Sequence, residues 1–431
     1  MRSIKLGKVS VEVYGGARGI GGNCVVVRDE GSGFSVMLDQ GIDFGAFGRF
    51  FGGFIEPHSL RDLYEVGVIP PPEAYEGVDA VFISHLHLDH LGALSMPEQR
   101  GVEVYVSSAR LLSSLAESWE WSWKNLLLPY GSVYTAVEDV KEWRGVVKPV
   151  RVSHSAYPSH AFLLHTSSGS VLYTGDFRLD TPLKALGVEH GLDTSANLGR
   201  LVEEVGGIDL AIVEGTNLGG VRDYVDVETA SLVLGKLLES YSRKVLFLTY
   251  HPLDVETFAF VADLLTKRGW SIAVVHERYV DIADASLTSI SLDQDQYFYY
   301  DIHGEARRHG YTLFDYVGSV RNCRLVESIP SDKIAVFLSY RAVDELRTLA
   351  NQGVDLRGSL LIQLTSEPRG EEYRMMEARV GAWLTRFGIH SYRIRISGHY
   401  YPHQLNRVLE IIKPKKIIPV HTLHPELLTT T

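Results

Sequence analysis

Cysteine is nearly absent: the 431 residues include two, Cys24 and Cys323, in widely separated segments and without a C-x-x-C pair. Neither a disulfide framework nor a thiolate zinc site is indicated, and both residues read as buried thiols. Long hydrophobic runs are missing as well. No uninterrupted apolar stretch reaches the roughly 18 residues of a membrane-spanning helix, and Met1-Arg2-Ser3-Ile4-Lys5 opens no charged-then-apolar leader. The expectation is a soluble, cytoplasmic protein with no membrane partner. Positive charge is in deficit, with 42 Lys and Arg against 53 Asp and Glu and a formal net charge of −11. That argues against a surface that binds nucleic acid everywhere. It permits a local basic groove beside a site that carries its own positive charge.

What is present is apolar mass and histidine. With 45% hydrophobic residues, a chain of 431 can build two cores. The densest chemistry lies in Ala80 to Leu94, where the apolar run Ala80–Ile83 gives way to His85, His87, Asp89 and His90 ahead of Gly92. On an extended or tightly turning backbone, residues two apart point the same way, so His85 and His87 can present two imidazoles to one ion. Asp89 and His90 then turn toward a second position beside it. Neutral imidazole and carboxylate suit zinc, at about 2.0–2.2 Å. A solvated polar turn would explain Asp89 and leave the histidines unexplained.

His-x-His-x-Asp-His after a buried strand resembles the signature of the metallo-β-lactamase superfamily. Further strands end in carboxylates or histidines. Ser35–Asp39 closes on Asp39, which can cap a turn or accept from a metal-bound histidine, and the resemblance favours the second. Val146–Val152 leads to His154, Ser170–Asp176 closes on Asp176, and Asp209–Glu214 closes on Glu214. The resemblance implies that His154 joins His85 and His87 on one metal and that Asp176 bridges to a second metal held by Asp89, His90 and one more ligand. His160 and His165 fall outside that pattern and read as core or rim residues.

Several stretches keep two readings. Gly15–Asn23 is glycine-rich between strands and can cradle phosphate, but it lacks the Lys-Ser/Thr of a P-loop. A turn with positive φ that lets the backbone approach the metal pocket is favoured. Phe44 to Pro72, with Phe44, Phe47, Phe50, Phe51 and Phe54 among glycines and prolines, reads as an ordered loop beside the site. Trp119, Trp121 and Trp123 can stack bases but more often brace a core or lid.

From Lys244 to Glu367 strands alternate with helices, which implies a second domain with a parallel sheet. Its strands near Lys244, Lys333 and Ser359 end at His251, Arg341 and Ser366. Ligands of open parallel sheets bind at such carboxyl ends, so a phosphate or nucleotide groove is expected there. The alternative is plain loop residues. The last segment, Tyr392–His399, a helix over Pro402–Ile412 and Lys416–His421, places His399 and His421 at one sheet edge, 22 positions apart.

With these residues the chain resembles the β-CASP branch of the superfamily, the nucleic-acid-processing branch that includes ribonuclease J. Glu214 in Val-Glu-Gly-Thr, Ser397-Gly398-His399 and Pro419-Val420-His421 match the three motifs that flank its inserted domain. The implied fold is α/β, a metallo-β-lactamase αββα sandwich with an inserted β-CASP parallel α/β domain. Residues 1–218 and 386–431 would form the sandwich and 219–385 the insert. His421 becomes the seventh metal ligand, and His424 reads as a rim residue. Asp89, His399, Glu214 and Asp39 are expected to carry the chemistry, with His251, Arg341, Ser366 and Ser397 on substrate.

The implied activity is hydrolysis of RNA by water activated on two Zn2+, with Mn2+ as a substitute, acting as a 5′-to-3′ exonuclease, an endonuclease or both. Single-stranded RNA is the expected partner, DNA remains open, and a homodimer is what the family suggests. The rivals are a hydrolase of DNA or of small esters, thioesters or phosphodiesters, and a non-catalytic scaffold of an RNA-processing complex. After His421 the sequence reads Thr-Leu-His-Pro-Glu instead of the usual Gly-Glu and ends at Thr431, which suggests a compact relative whose substrate preference need not be inherited. Arg393, Arg395, Arg407, Lys413, Lys415 and Lys416 can line a backbone channel, but solvated element ends are the favoured reading.

Overall fold

The computed structural model describes residues 2–52, 54–98, 100–117, 134–187, 192–220, 223–274, 297–299, 333–338, 342–351, 353–367 and 371–429. Trp119, Trp121, Trp123 and Cys323 lie outside them. The chain divides into two compact units: Met1–Thr181 with Gly191–Arg222 and Gly398–Thr431, and Pro182–His190 with Asp223–Ser397.

The first unit holds two sheets. One is seven-stranded: β1 (Arg2–Leu6), β2 (Val9–Gly15), β3 (Cys24–Asp29), β4 (Phe34–Leu38), β5 (Ala80–Phe82), β6 (Glu103–Val106) and β7 (Thr135–Ala136) in sequence order. Its first four strands pair antiparallel and the rest parallel. The other contains β8 (Val147–Val152), β9 (Ser159–Thr166), β10 (Gly169–Tyr173), β11 (Leu210–Glu214) and the chain's last strand, β18 (Ile417–Val420), in the order β18-β11-β10-β9-β8.

Alternation along the strands builds the layers. Val36, Leu38, Ala80 and Phe82 of the first sheet meet Phe162, Leu164, Val171, Tyr173, Leu210 and Ile212 of the second in one buried cluster. The residues between them, Leu163, Leu172, Ala211 and Val213, point the other way. They pack against Leu198 and Leu201 of helix Thr194–Val205 and Val408 and Ile412 of helix Leu405–Ile412. Because both faces of β10 and β11 are covered, these strands read as continuous apolar runs. Each such side chain taken from water contributes about 1.5–3 kcal/mol.

Segment 44–72 departs from the expected loop. It contains helices Phe44–Phe50 and Leu60–Glu65. Asp43 caps the first by accepting from Ala46 N at 2.8 Å, and Ser59 and Asp62 form a capping box on the second. The first helix buries none of its residues, so the phenylalanines do not build core there.

Two glycines fix the loops beneath the histidine stretch. Gly92 ends the short helix Leu88–Leu91 at φ 56, and an added Cβ would fall 1.1 Å from the Gln40 carbonyl oxygen. At Gly41 it would fall 1.6 Å from the Asp89 oxygen. Neither neighbour can yield, since both are backbone. Gly92→Ala is therefore expected to destabilise the protein by more than about 4 kcal/mol, measured as a loss of the cooperative urea transition at ordinary concentrations.

The second unit carries a six-stranded sheet made of β12 (Val245–Thr249), β13 (Trp270–Val274), β14 (Tyr297–Tyr299), β15 (Lys333–Leu338), β16 (Leu360–Thr365) and β17 (His390–Arg395), ordered β14-β13-β15-β12-β16-β17. Every pairing is parallel, as the alternation of strands and helices requires. Asp254 caps helix Val255–Thr266. Phe247, Val336, Leu338 and Leu361 share a core with Leu346 and Leu384 of neighbouring helices.

Candidate metal centre

In the first unit β4 runs parallel to β5, and β10 parallel to β11 and β18. Each of these strands ends immediately before a polar residue singled out above. Asp39 follows β4, His85 to His90 follow β5, Asp176 follows β10, Glu214 closes β11 and His421 follows β18. β8, antiparallel to β9, which is antiparallel to β10, points the same way and delivers His154. Strand polarity thus brings the candidates to the carboxyl edges.

There they converge. His85, His87 and His154 offer ligand atoms within 4.8 Å of one another, as do His85, His90 and Asp176, and also Asp89, His90 and His421. Asp176, Glu214 and His399 form a further such group. The ring centroids of His85 and His90 are 4.0 Å apart, those of His85 and His154 4.5 Å.

Four of the histidines are oriented by a contact on Nδ1. His90 Nδ1 donates to Asp39 Oδ2 at 2.7 Å, His154 Nδ1 to the Gly398 carbonyl at 2.7 Å and His399 Nδ1 to Glu214 Oε1 at 3.1 Å. His421 Nδ1 lies 2.6 Å from Thr216 Oγ1. Fixing Nδ1–H leaves Nε2 with its lone pair directed inward, the arrangement metal-ligating histidines use. His421 Nε2 faces Asp89 Oδ2 at 3.1 Å and Asp176 Oδ2 at 3.5 Å, and His90 Nε2 faces Asp176 Oδ2 at 2.9 Å.

Charge follows the same design. Burial, then the neighbouring imidazoles, hold His85 well below the ordinary histidine range, in the neutral form that ligates. Burial pushes Asp176 and Asp89 up, but His421 and His90 outweigh it and keep both carboxyls below the usual carboxylate range. Burial also lowers His90, yet Asp176 and Asp39 prevail and raise it well above its ordinary value. The cluster demands positive charge among its carboxylates.

Two buried atoms show where that charge belongs. His85 Nε2 and Asp176 Oδ1 make no hydrogen bond among the described residues. Leaving such groups unpaired costs about 1–3 kcal/mol each, and a divalent cation satisfies both. The donor set, imidazole and carboxylate, fits one.

Asp39 accepts four hydrogen bonds, from Ser84 N at 2.7 Å, Ser84 Oγ at 2.8 Å, Tyr173 Oη at 2.6 Å and His90 Nδ1. Three of the four converge on Oδ2, and the bond from His90 Nδ1 orients that ring. Glu214, whose Oε2 accepts from Thr216 N at 2.8 Å, positions His399 likewise. Sequence reasoning missed Ser84, Tyr173 and Thr216, and also Arg178, whose Nε donates to Ser153 Oγ at 3.0 Å beside His154. These are common residue types without special spacing. The glycine-rich turn does approach the site, since an added Cβ on Gly21 would lie 3.0 Å from Asp89 Cβ.

His160, His165, His424 and Cys24 behave as rim or core residues. His160 is buried and pushed down to about 3 by desolvation and Arg151. His165 stands 4.0 Å from Glu142 and His424 pairs with Glu426 at 3.1 Å, both half-exposed. Cys24 is a buried thiol, raised by burial.

In the second unit His251, Ser366 and Ser397 lie beyond the carboxyl ends of β12, β16 and β17, which run parallel and adjacent. His251 Nδ1 accepts from Leu253 N at 3.3 Å, and the Ser366 carbonyl accepts from Arg395 Nε at 3.2 Å. Arg341 lies outside the described residues. Several basic residues are committed locally, Arg393 to Glu377, Arg395 to Asp223 and Lys415 to Asp209. Arg393 and Lys415 are partly exposed, whereas Arg395 is buried and so is not a solvated element end.

Comparison with known proteins extends the likeness. Residues 61–222 match a beta-lactamase superfamily domain. Ribonuclease J of Pyrococcus abyssi is 26% identical over 181 residues, 41% of this chain and 40% of that protein. Ribonuclease J of Helicobacter pylori is 22% identical across 96% of this chain and 56% of its own length. For the Mycolicibacterium smegmatis enzyme the figures are 23%, 96% and 69%. The match spans 40% of the first of these relatives and 56% of the second. A protein of unknown function from Enterococcus faecalis shares the fold, with a TM-score of 0.69 over 98% of this chain and 96% of that one at 22% identity. Fold, clustered candidate ligands and relatives aligned along nearly the whole length make the chain similar to the ribonuclease J proteins, with a beta-lactamase superfamily domain over residues 61–222.

Proposed function

We propose that the chain hydrolyses RNA phosphodiesters with two divalent cations, zinc in the first instance. The observation that carries this is the pair of ligand groups that meet at Asp176. His85, His87 and His154 would hold one cation, and Asp89, His90 and His421 the other, with Asp176 between them. Two cations so held supply an electrophile for the phosphoryl oxygens and draw water toward ionisation at neutral pH.

The protein's own residues supply the rest. Asp39, Gly398 and Thr216 hold the ligating rings in one tautomer, so no reorganisation accompanies the reaction. Glu214 occupies His399 Nδ1 and leaves Nε2 to face substrate, where it can hydrogen-bond a phosphoryl oxygen or protonate the departing one. RNA is favoured over small esters because the ribonuclease J proteins align along the chain through the inserted unit, which a small-substrate hydrolase does not need. His251, Arg341, Ser366 and Ser397 are proposed to contact the RNA backbone from that unit.

The test is incubation of the zinc-loaded protein with 5′-labelled single-stranded RNA and matching DNA, beside His85→Ala. Labelled mononucleotide from RNA, absent in the variant, is the expected result and defines a 5′-to-3′ exonuclease. Internal fragments define an endonuclease. Cleavage of neither polymer by protein holding both cations sinks the proposal.

A further inference from the structure

Asn23 closes the glycine-rich turn, and its side chain has no role in the scheme above. It is 1% exposed. Its backbone is clamped from both sides, donating to the Asp89 carbonyl at 3.1 Å and accepting from Gly41 N at 2.7 Å. The amide therefore has one place to go. Nδ2 lies 3.0 Å from His90 Nε2, the nitrogen that faces Asp176, while Oδ1 is buried without a hydrogen-bond donor among the described residues.

The turn is shaped around this amide. Gly16 has φ 79, and a Cβ there would sit 2.0 Å from Asn23 Oδ1. The Gly16 carbonyl in turn accepts from His421 N at 2.8 Å. One turn thus fixes Asn23 and His421 together. A buried carbonyl oxygen with no partner costs about 1–3 kcal/mol, and an apolar residue would suit the start of a buried strand better. A half-turn of the amide exchanges Nδ2 and Oδ1 without moving the chain. Once the His90 Nε2 lone pair is engaged by a cation, an N–H can no longer donate to it, whereas the oxygen is attracted to the same place.

We propose that the Asn23 side-chain oxygen is a further donor to the cation held by Asp89, His90 and His421. This rests on the two-cation reading and deepens it. An added neutral oxygen raises the coordination number and hardens that position, which suits Mn2+ better than tetrahedral zinc.

The test titrates wild type, Asn23→Ala and His421→Ala with Mn2+ and with Zn2+ by chelator competition, and records the visible absorption of the Co2+ forms. Wild type is expected to bind two cations. Asn23→Ala should keep one affinity and lose about 10–100-fold in the other for Mn2+, less for Zn2+, with a more intense Co2+ band as the coordination number falls. His421→Ala should weaken the same cation. Two wild-type Mn2+ affinities and an unchanged Co2+ spectrum in Asn23→Ala overturn the inference alone. A wild-type chain that binds one cation overturns the two-cation reading and the inference with it. Should Asn23→Ala fold poorly, Asn23→Asp decides, because it keeps the shape and an oxygen donor: loss of the second cation from the folded variant contradicts the inference.

Discussion

Asp176→Ala is expected to release both cations and reduce RNA cleavage by at least about 10²–10³-fold. Its Oδ2 stands 2.9 Å from His90 Nε2 and 3.5 Å from His421 Nε2, and its Oδ1 has no hydrogen bond among the described residues. Removing one member of a buried charged cluster costs about 3–5 kcal/mol, and each factor of ten in affinity corresponds to about 1.4 kcal/mol. Asp176→Asn keeps the shape without the charge, so it should retain the fold and still lose most of the activity. Metal content after dialysis and initial cleavage rate are the measurements. An alanine variant that keeps both cations would show that Asp176 does not join the two groups.

Asp39 should give the largest effect of a residue outside the proposed ligand set. It sits at φ 59, where few side chains other than Asn and Asp are at ease. Asp39→Ala strains that backbone and deprives Ser84, Tyr173 and His90 of their common acceptor. A loss of roughly 3–5 kcal/mol follows, a fall in Tm on the order of 10 °C. Asp39→Asn accepts the same φ, and should keep the fold while weakening cation binding about 10–100-fold through a misdirected His90. Equal stability in the alanine variant would mean that the four hydrogen bonds matter less than their geometry implies.

The proposed ligands are legible in the sequence because metal chemistry restricts residue type and strand polarity restricts place. His85, His87, Asp89 and His90 announce themselves by crowding. Asp39, Asp176, Glu214 and His421 stand where apolar runs stop. The residues that aim them are another matter. Ser84, Thr216 and Tyr173 act through ordinary backbone and hydroxyl hydrogen bonds, which many residues at many spacings could supply. Arg178 reaches Ser153 from 25 positions away. Helix Leu60–Glu65 did carry a signal, the capping box Ser59-x-x-Asp62, hidden by the surrounding glycines and prolines. Helix Phe44–Phe50 buries none of its residues and so writes no core stripe into its sequence. In the second unit the parallel sheet was readable from the alternation of strands and helices. The contacts of His251 and Ser366 were not, since both depend on local turns and a distant arginine.

The most direct measurement of the central proposal is anomalous scattering from crystals grown with zinc, collected at the metal absorption edge. Two peaks are expected, one among His85, His87 and His154 and one among Asp89, His90 and His421, with Asp176 reaching both. No peak within these groups, or a single peak that persists alone at saturating zinc, would contradict the two-cation centre.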